Sequence, residues 1–240
     1  MVVINESCLD CELCYKYCPV KAISAKGDEG TAVDLDACVE CGTCYRAKVC
    51  PVDAIEYPPL SYPRSLRRHF SDPTSRHEAT GMPGRGTEEI KTNDVTDRFK
   101  FGQVGFCIEV GRPGVGTSIA EVEKIYKVLA AYGVELEERN PIYPMISNLD
   151  TGEFKEELLG ERVLSIIIEF IVPEKKVPSL LTEIKELSGR VNAAFSVSLA
   201  GRINEDGTIP IKNILDGLQI TYRPNAKINL GLGTLPEASA

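Results

Sequence analysis

Cys8-Leu-Asp-Cys11-Glu-Leu-Cys14-Tyr-Lys-Tyr-Cys18-Pro19 and Cys38-Val-Glu-Cys41-Gly-Thr-Cys44-Tyr-Arg-Ala-Lys-Val-Cys50-Pro51 are the two stretches that decide how this chain folds. Each sets three cysteines two residues apart and then places a fourth directly before a proline. Gaps of two make the backbone wrap a single object, so three thiolates come from one local loop. Thiolates are soft ligands and select a soft metal site. The proline cannot continue a helix and turns the chain away. A zinc ribbon uses paired CxxC units and lacks the third cysteine of each run and the Cys-Pro. A disulfide framework belongs to an exported chain, and residues 1–6 have no basic start and open no long apolar stretch.

On these residues, 1–57 resemble a dicluster [4Fe–4S] ferredoxin of the bacterial type. The resemblance implies two [4Fe–4S] clusters and the exchange of ligands seen in that family, where the fourth cysteine of each run serves the other cluster. Cluster one is then expected on Cys8, Cys11, Cys14 and Cys50, and cluster two on Cys38, Cys41, Cys44 and Cys18. The second run departs from the pattern, with five residues before its last cysteine where three are usual. A bulge is expected there, bringing Arg46 and Lys48 close to a cluster. A nearby cation raises a cluster's potential, so the two clusters need not be equivalent.

The runs belong to an internal repeat, because Cys18-Pro-Val-Lys-Ala-Ile23 echoes Cys50-Pro-Val-Asp-Ala-Ile55. Each half predicts a cluster loop, a short helical turn after Cys-Pro and a short strand. Strands are expected at 2–4 and 31–33, with Val3, Ile23, Val33 and Ile55 walling off the clusters. So small a core needs its metal to supply folding energy.

The rest of the chain bounds the reading. Its 240 residues suit one or two domains. Hydrophobic content of 43% and charged content of 26% are those of an ordinary globular chain. No stretch approaches the roughly 20 apolar residues of a membrane span, so no membrane partner is expected. Without an export signal, a reducing or anaerobic cytoplasm is the expected location. A net charge of -8 argues against nucleic acid as a partner. It suits docking onto the basic patch of a redox protein, although an acidic surface also serves solubility alone.

Residues 58–98 read as an extended Pro/Arg-rich linker arm. Prolines at 58, 59, 63, 73 and 83 break any period. Arg64, Arg67, Arg68, Arg76 and Arg85 sit among few acids, and arginines and tyrosines are enriched at interfaces. An arm wrapping its own second domain or a partner subunit is expected. His69 and His77 are expected at its surface, because no spacing pairs them with a cysteine or a carboxylate cluster.

Residues 99–240 predict a second domain with a C-terminal extension. Val104, Phe106, Ile108 and Val110 alternate as a half-buried strand. Ser118 or Thr117 caps a helix whose apolar face is Ile119, Val122, Ile125, Tyr126 and Leu129. Strands are expected from Val134, over 162–172 and at 195–199, with a second helix over 178–189. Up to two more strands are expected, at 218–222 and 228–232. The order is βαββαβ, giving an α+β chain in which the second domain is a ferredoxin-like α/β sandwich. That topology does not itself imply iron–sulfur binding.

Gly111-x2-Gly114-x-Gly116 stands where a phosphate can rest on a helix start. It matches no nucleotide-binding loop, and a tight turn accounts for it. Cys107, the ninth cysteine, falls on the sheet face away from the helices, with Glu109, Ser165, Ile167, Glu169, Ser196 and Ser198. That face is expected to be open, as a docking surface for residues 58–98 or another subunit. Cys107 itself is expected as a small buried residue. No catalytic residue set is apparent.

Residues 84–96 and 104–116 further resemble the iron–sulfur 6-hydroxynicotinate reductase family. That resemblance implies low-potential electron delivery to a reductive step in anaerobic metabolism. The leading expectation is an electron-transfer subunit in a hetero-oligomeric complex, served by a donor ferredoxin or feeding a catalytic oxidoreductase subunit. The alternatives are a 6-hydroxynicotinate reductase-like enzyme in its own right and a ferredoxin accessory protein for reductive sulfur transfer.

Overall fold

Strands of two or three residues are too short to stand alone, so the N-terminal unit ties each to the other half of the repeat. The structure is a computed structural model and describes residues 1–27, 30–78, 81, 83–85, 98, 100–112 and 116–223. Its first elements are β1 (Val3–Ile4), β2 (Ile23–Ala25), β3 (Thr31–Val33), the one-turn helix α1 (Thr43–Arg46) and β4 (Ile55–Glu56). β1 pairs antiparallel with β4, and β2 with β3. Asn5 N–H donates to Ala54 C=O at 2.9 Å, and Asp34 N–H to Ala22 C=O at 2.7 Å. Val2, Ala22, Ile23 and Ile55 form a small core with Cys38 and Cys44.

Two local expectations need correction. Val2, not Val3, faces inward, and Val3 is 38% exposed. The helical turns precede the fourth cysteines: a 3-10 turn at Tyr15–Tyr17 and α1. After each Cys-Pro the chain makes a left-handed turn, at Lys21 (φ 54°) and Asp53 (φ 50°). That reversal aims the next amide back at the cysteine sulfur, which a helix, with its N–H groups along its own axis, cannot do.

The stretch expected as an extended arm contains a helix, α2 (Ser65–Ser71). Leu66 and Phe70, one turn apart, bury into the core of the second unit. On α2's other side Arg64, Arg67 and Arg68 reach the N-terminal unit. The helix is thus a bracket between the two.

The second unit comprises β5 (Gln103–Val110), β6 (Thr117–Ser118), α3 (Ile119–Ala131), β7 (Glu135–Leu136), β8 (Ile146–Asn148), β9 (Glu153–Phe154), β10 (Arg162–Val163), β11 (Ile166–Pro173), α4 (Val177–Leu187), β12 (Phe195–Gly201) and α5 (Pro210–Gly217). The main sheet has the order β12-β5-β11-β7, antiparallel throughout. Alternation on β5 and β11 sends Val104, Phe106, Ile108 and Val110, with Ile166, Ile168, Phe170 and Val172, into one core with the apolar faces of α3 and α4. Phe106 and Phe170 stack across the strands at 4.9 Å. Ser118 caps α3, its Oγ accepting from Glu121 N–H at 3.4 Å.

The strand expected over 162–172 is two strands. β10 pairs with β6, while β11 joins the main sheet. Gly111 holds the chain at this switch with φ 86°, and a Cβ there would lie 2.8 Å from the Leu164 carbonyl oxygen. Beyond β12 the chain forms α5, with Pro210 in its first turn. No strand forms over 218–222. The strand expected over 228–232 lies outside the described residues.

The second sheet face is covered, against the expectation that it stands open. Cys107, Ile167, Glu169 and Ile171 are all buried. Asn140 Nδ2 donates to Ile167 C=O at 2.9 Å and to Glu169 Oε2 at 2.7 Å. Arg85 accepts from Ile167 N–H at 3.0 Å, donates to Ser165 Oγ at 2.7 Å and pairs with Glu109. Part of segment 58–98, one of the two expected occupants, is therefore on this face. Among the described residues no helix is long and apolar enough to cross a membrane.

Candidate metal centre

Each cysteine run coils around its own cavity and lends its last sulfur to the other. Cys8, Cys11, Cys14 and Cys50 line one cavity of about 350 Å³. Cys38, Cys41, Cys44 and Cys18 line a second of about 300 Å³. The structure brings the eight candidate cysteines together in these two groups. Apolar side chains complete the walls: Ile4, Val52 and Ile55 around the first, Val2, Ile23 and Val33 around the second.

The backbone explains how sulfurs so close in sequence converge. Asp10 (φ 49°) and Glu12 (φ 60°) in the first loop, and Glu40 (φ 56°) and Gly42 (φ 66°) in the second, are left-handed residues interleaved with the cysteines. Such turns curl a chain around a negatively charged guest. Ala22 N–H donates to Cys18 Sγ and Ala54 N–H to Cys50 Sγ, both at 3.1 Å. Among the described residues no three His, Cys, Asp or Glu side chains converge on a single metal ion. Sulfurs spread around a cavity fit a cubane, whose ligands bind four separate irons, better than one tetrahedral ion.

Burial pushes the free Cys38 thiol up to about 11 and that of Cys44 up to about 12, and raises Cys14 for the same main reason. Iron loading therefore displaces protons.

The second loop is gripped from outside. Glu40, fully buried, accepts from Val2 N–H at 3.1 Å, from Arg64 Nε at 2.8 Å and from Arg64 Nη2 at 2.7 Å. Arg67, 5% exposed, donates from Nη1 to the carbonyls of Leu35, Asp36 and Cys38 at 3.0, 3.1 and 2.8 Å. Its Nε pairs with Glu161 of the second unit. Arg46 donates to Cys41 C=O at 2.7 Å and pairs with Asp72 at 2.7 Å. Arg46 thus meets the second loop at the Cys41 carbonyl, while Lys48 leans over the Tyr45 ring at 4.2 Å. The Tyr57 hydroxyl lies 2.6 Å from Glu40 C=O and 2.9 Å from Asp72 Oδ2, and burial raises its pKa.

Sequence reasoning missed Glu40, Arg64, Arg67 and Asp72 in this role. The available signal was the excess of arginine after residue 63. The histidines also differ from expectation, because His77 is buried at 4% exposure. Its Nε2 lies 2.8 Å from Gly84 C=O, its ring meets Phe70 edge-on at 4.4 Å, and burial lowers its pKa to about 4. Cys107 is 4% exposed, cross-strand from Glu169 and Ser198. The glycine turn falls partly outside the described residues, as does most of stretch 84–96. A cleft of about 880 Å³ between the end of α3 and the β8–β9 hairpin carries Glu135, Glu138 and Asp150 but no thiol or imidazole.

Two cysteine-lined cavities related by an internal repeat define the class, a small-domain iron–sulfur protein built around a pair of cubanes. The model of the 4Fe-4S dicluster domain matches residues 2–57. The ferredoxin Fdx2 of Sorangium cellulosum is 30% identical over 108 residues, which cover 40% of this chain and 95% of that protein. The chain belongs to the 4Fe-4S dicluster ferredoxins and carries two [4Fe–4S] clusters. The pyruvate synthase subunit PorD of Thermotoga maritima is 41% identical over 58 residues, 24% of this chain and 57% of its own length. The ketoisovalerate oxidoreductase subunit VorD of Pyrococcus furiosus is 49% identical over 37 residues, 15% of this chain and 35% of its own length. The chain therefore spans little more than half of the first of these relatives and about a third of the second.

Proposed function

We propose that this protein is an electron-transfer subunit, passing low-potential electrons through its two clusters to a catalytic subunit of an anaerobic, cytoplasmic oxidoreductase. The observation that carries the reading is the pair of cavities, each lined by three cysteines of one run and one of the other. Cys8, Cys11, Cys14 and Cys50 hold cluster one, and Cys38, Cys41, Cys44 and Cys18 hold cluster two. When bound, the clusters supply reversible one-electron storage. The chain's own residues do the rest. Apolar side chains line both cavities, and the Ala22 and Ala54 amides stabilise negative charge on Cys18 and Cys50. PorD and VorD are subunits by name, which supports a hetero-oligomer here.

In this reading residues 1–57 are the cluster domain, 58–98 the arm and 99–240 the second domain. The order β12-β5-β11-β7, with α3 and α4 on one face, supports a ferredoxin-like sandwich for the last. Its place is to present the cluster domain to the partner in a fixed pose.

Anaerobically prepared protein is expected to hold about eight irons, four for each cubane. In Cys50→Ser the signal of cluster one should be lost, although Cys50 lies in the second run. Electron paramagnetic resonance and iron analysis read both. Zinc in place of iron, or loss of cluster two instead, overturns the assignment. Co-purification of the native protein tests the role: a stoichiometric catalytic subunit is expected, and substrate turnover by the isolated chain refutes it.

A further inference from the structure

The loops carrying Cys8–Cys14 and Cys38–Cys44 have the same cysteine spacing, yet their surroundings are opposite. Leu9 is 65% exposed, and its counterpart Val39 is 1% exposed. Asp10 and Glu12 face solvent, whereas their counterparts Glu40 and Gly42 are buried. The second loop is covered by the chain's own α2, through Arg64 on Glu40 and Arg67 on three carbonyls. The first loop leaves Leu9, Leu13 and Val52 standing out at the rim of its cavity.

Charge also differs between the two halves at the turn after each Cys-Pro. Every charged residue in 2–14 and 50–56 is acidic: Glu6, Asp10, Glu12, Asp53 and Glu56, all exposed. The left-handed position after Cys-Pro is Asp53 beside the first cavity and Lys21 beside the second. Exposed apolar side chains on segments whose charged residues are all acidic are complementary to a surface with an apolar centre and a basic rim. The chain contains the template for such a contact, because α2 covers the second loop with arginines.

We propose that the open mouth of the first cavity is the docking surface for a separate redox protein that presents basic side chains around an apolar centre. The second loop is already covered from outside by α2 and takes no such partner. This rests on the electron-transfer reading and deepens it by making cluster one the port. One electron leaves the reduced protein for the oxidised centre of its partner; no bond is made or broken, and no proton moves.

A basic c-type cytochrome, with ferric haem accepting one electron to become ferrous, serves as the probe. Its reduction by the reduced, fully iron-loaded full-length protein is followed by stopped flow over a series of ionic strengths. Binding of the oxidised pair is measured separately by calorimetry. Asp53→Lys places there the residue that the other half of the repeat already holds at a similar left-handed φ, so the fold should tolerate it. It should slow the reduction about tenfold at low salt, weaken binding in parallel and flatten the salt dependence. Glu6→Lys should act in the same direction, which guards against a defect peculiar to one variant. Lys21→Asp, at the other mouth, should change either quantity less than about twofold. The port is overturned if Asp53→Lys and Glu6→Lys do no more than Lys21→Asp, or if Lys21→Asp has the larger effect. Reduction of a small neutral quinone separates the two levels of the claim. If the wild type reduces the quinone but its traffic with the cytochrome ignores Asp53 and Glu6, only the port falls. If it cannot reduce the quinone at all, the electron-transfer reading falls and takes the port with it.

Discussion

Glu40 shows what a single residue does beside a metal site without binding metal. It stands between Cys38 and Cys41, fully buried, and its carboxylate joins β1's approach at Val2 to α2 at Arg64. Removing one partner of a buried ion pair strands the other, so Glu40→Ala should cost about 3 kcal/mol in anaerobic urea unfolding. Arg64→Ala in the same background should add less than it costs alone. His77 gives a pH signature. Its folded pKa of about 4 lies below the ordinary value of 6.5, so between those values the unfolded chain binds the proton and the folded chain does not. That contribution is complete above pH 6.5 and lost as pH falls towards 4, with a slope approaching about 1.4 kcal/mol per pH unit. His77→Gln should remove that component, seen as a flatter stability curve than the wild type's between pH 6.5 and 5. The eight cavity cysteines were legible because their spacing is dictated by the guest they surround. Glu40 was not, because its role depends on arginines more than twenty residues downstream.

At the scale of elements, β5, β11 and β12 follow directly from alternating β-branched and aromatic residues, and α3 from its Ser118 cap. α2 does not. A two-turn helix among prolines shows only Leu66 and Phe70 as an apolar face, and what holds it is tertiary. Phe70→Ala should cost about 3–5 kcal/mol as a cavity in the larger core. It should also loosen the arginine grip on the second loop, so cluster two should bleach in air faster than in the wild type while cluster one bleaches at the same rate. Optical and paramagnetic monitoring separates these. α5 is not among the expected elements, for a different reason. Ile211, Ile214, Leu215 and Leu218 already had helical spacing behind Pro210, but the β-branched and aromatic run just beyond drew the reading toward strands.

For the molecule as a whole, the two cores differ in kind. The N-terminal core is a handful of side chains shared with cysteines, while the second is a sheet packed by α3 and α4 with its own stacked phenylalanines. Anaerobic removal of iron by a chelator should unfold residues 1–57 and leave the second unit folded. Hydrogen exchange should show β1–β4 amides unprotected and β5 and β11 amides still slow. Whole-chain organisation was legible only in outline, because the sequence marks two units but not the bracket that joins them.

The borrowed sulfurs also impose a schedule on synthesis. A growing polypeptide presents Cys8 first, yet the set around the second cavity is complete at Cys44, whereas the first must wait for Cys50. On the proposed assignment, the cubane whose ligands begin to appear first is the last to be closed. A product cut short between those two positions would leave the ribosome holding one finished site and one with three sulfurs.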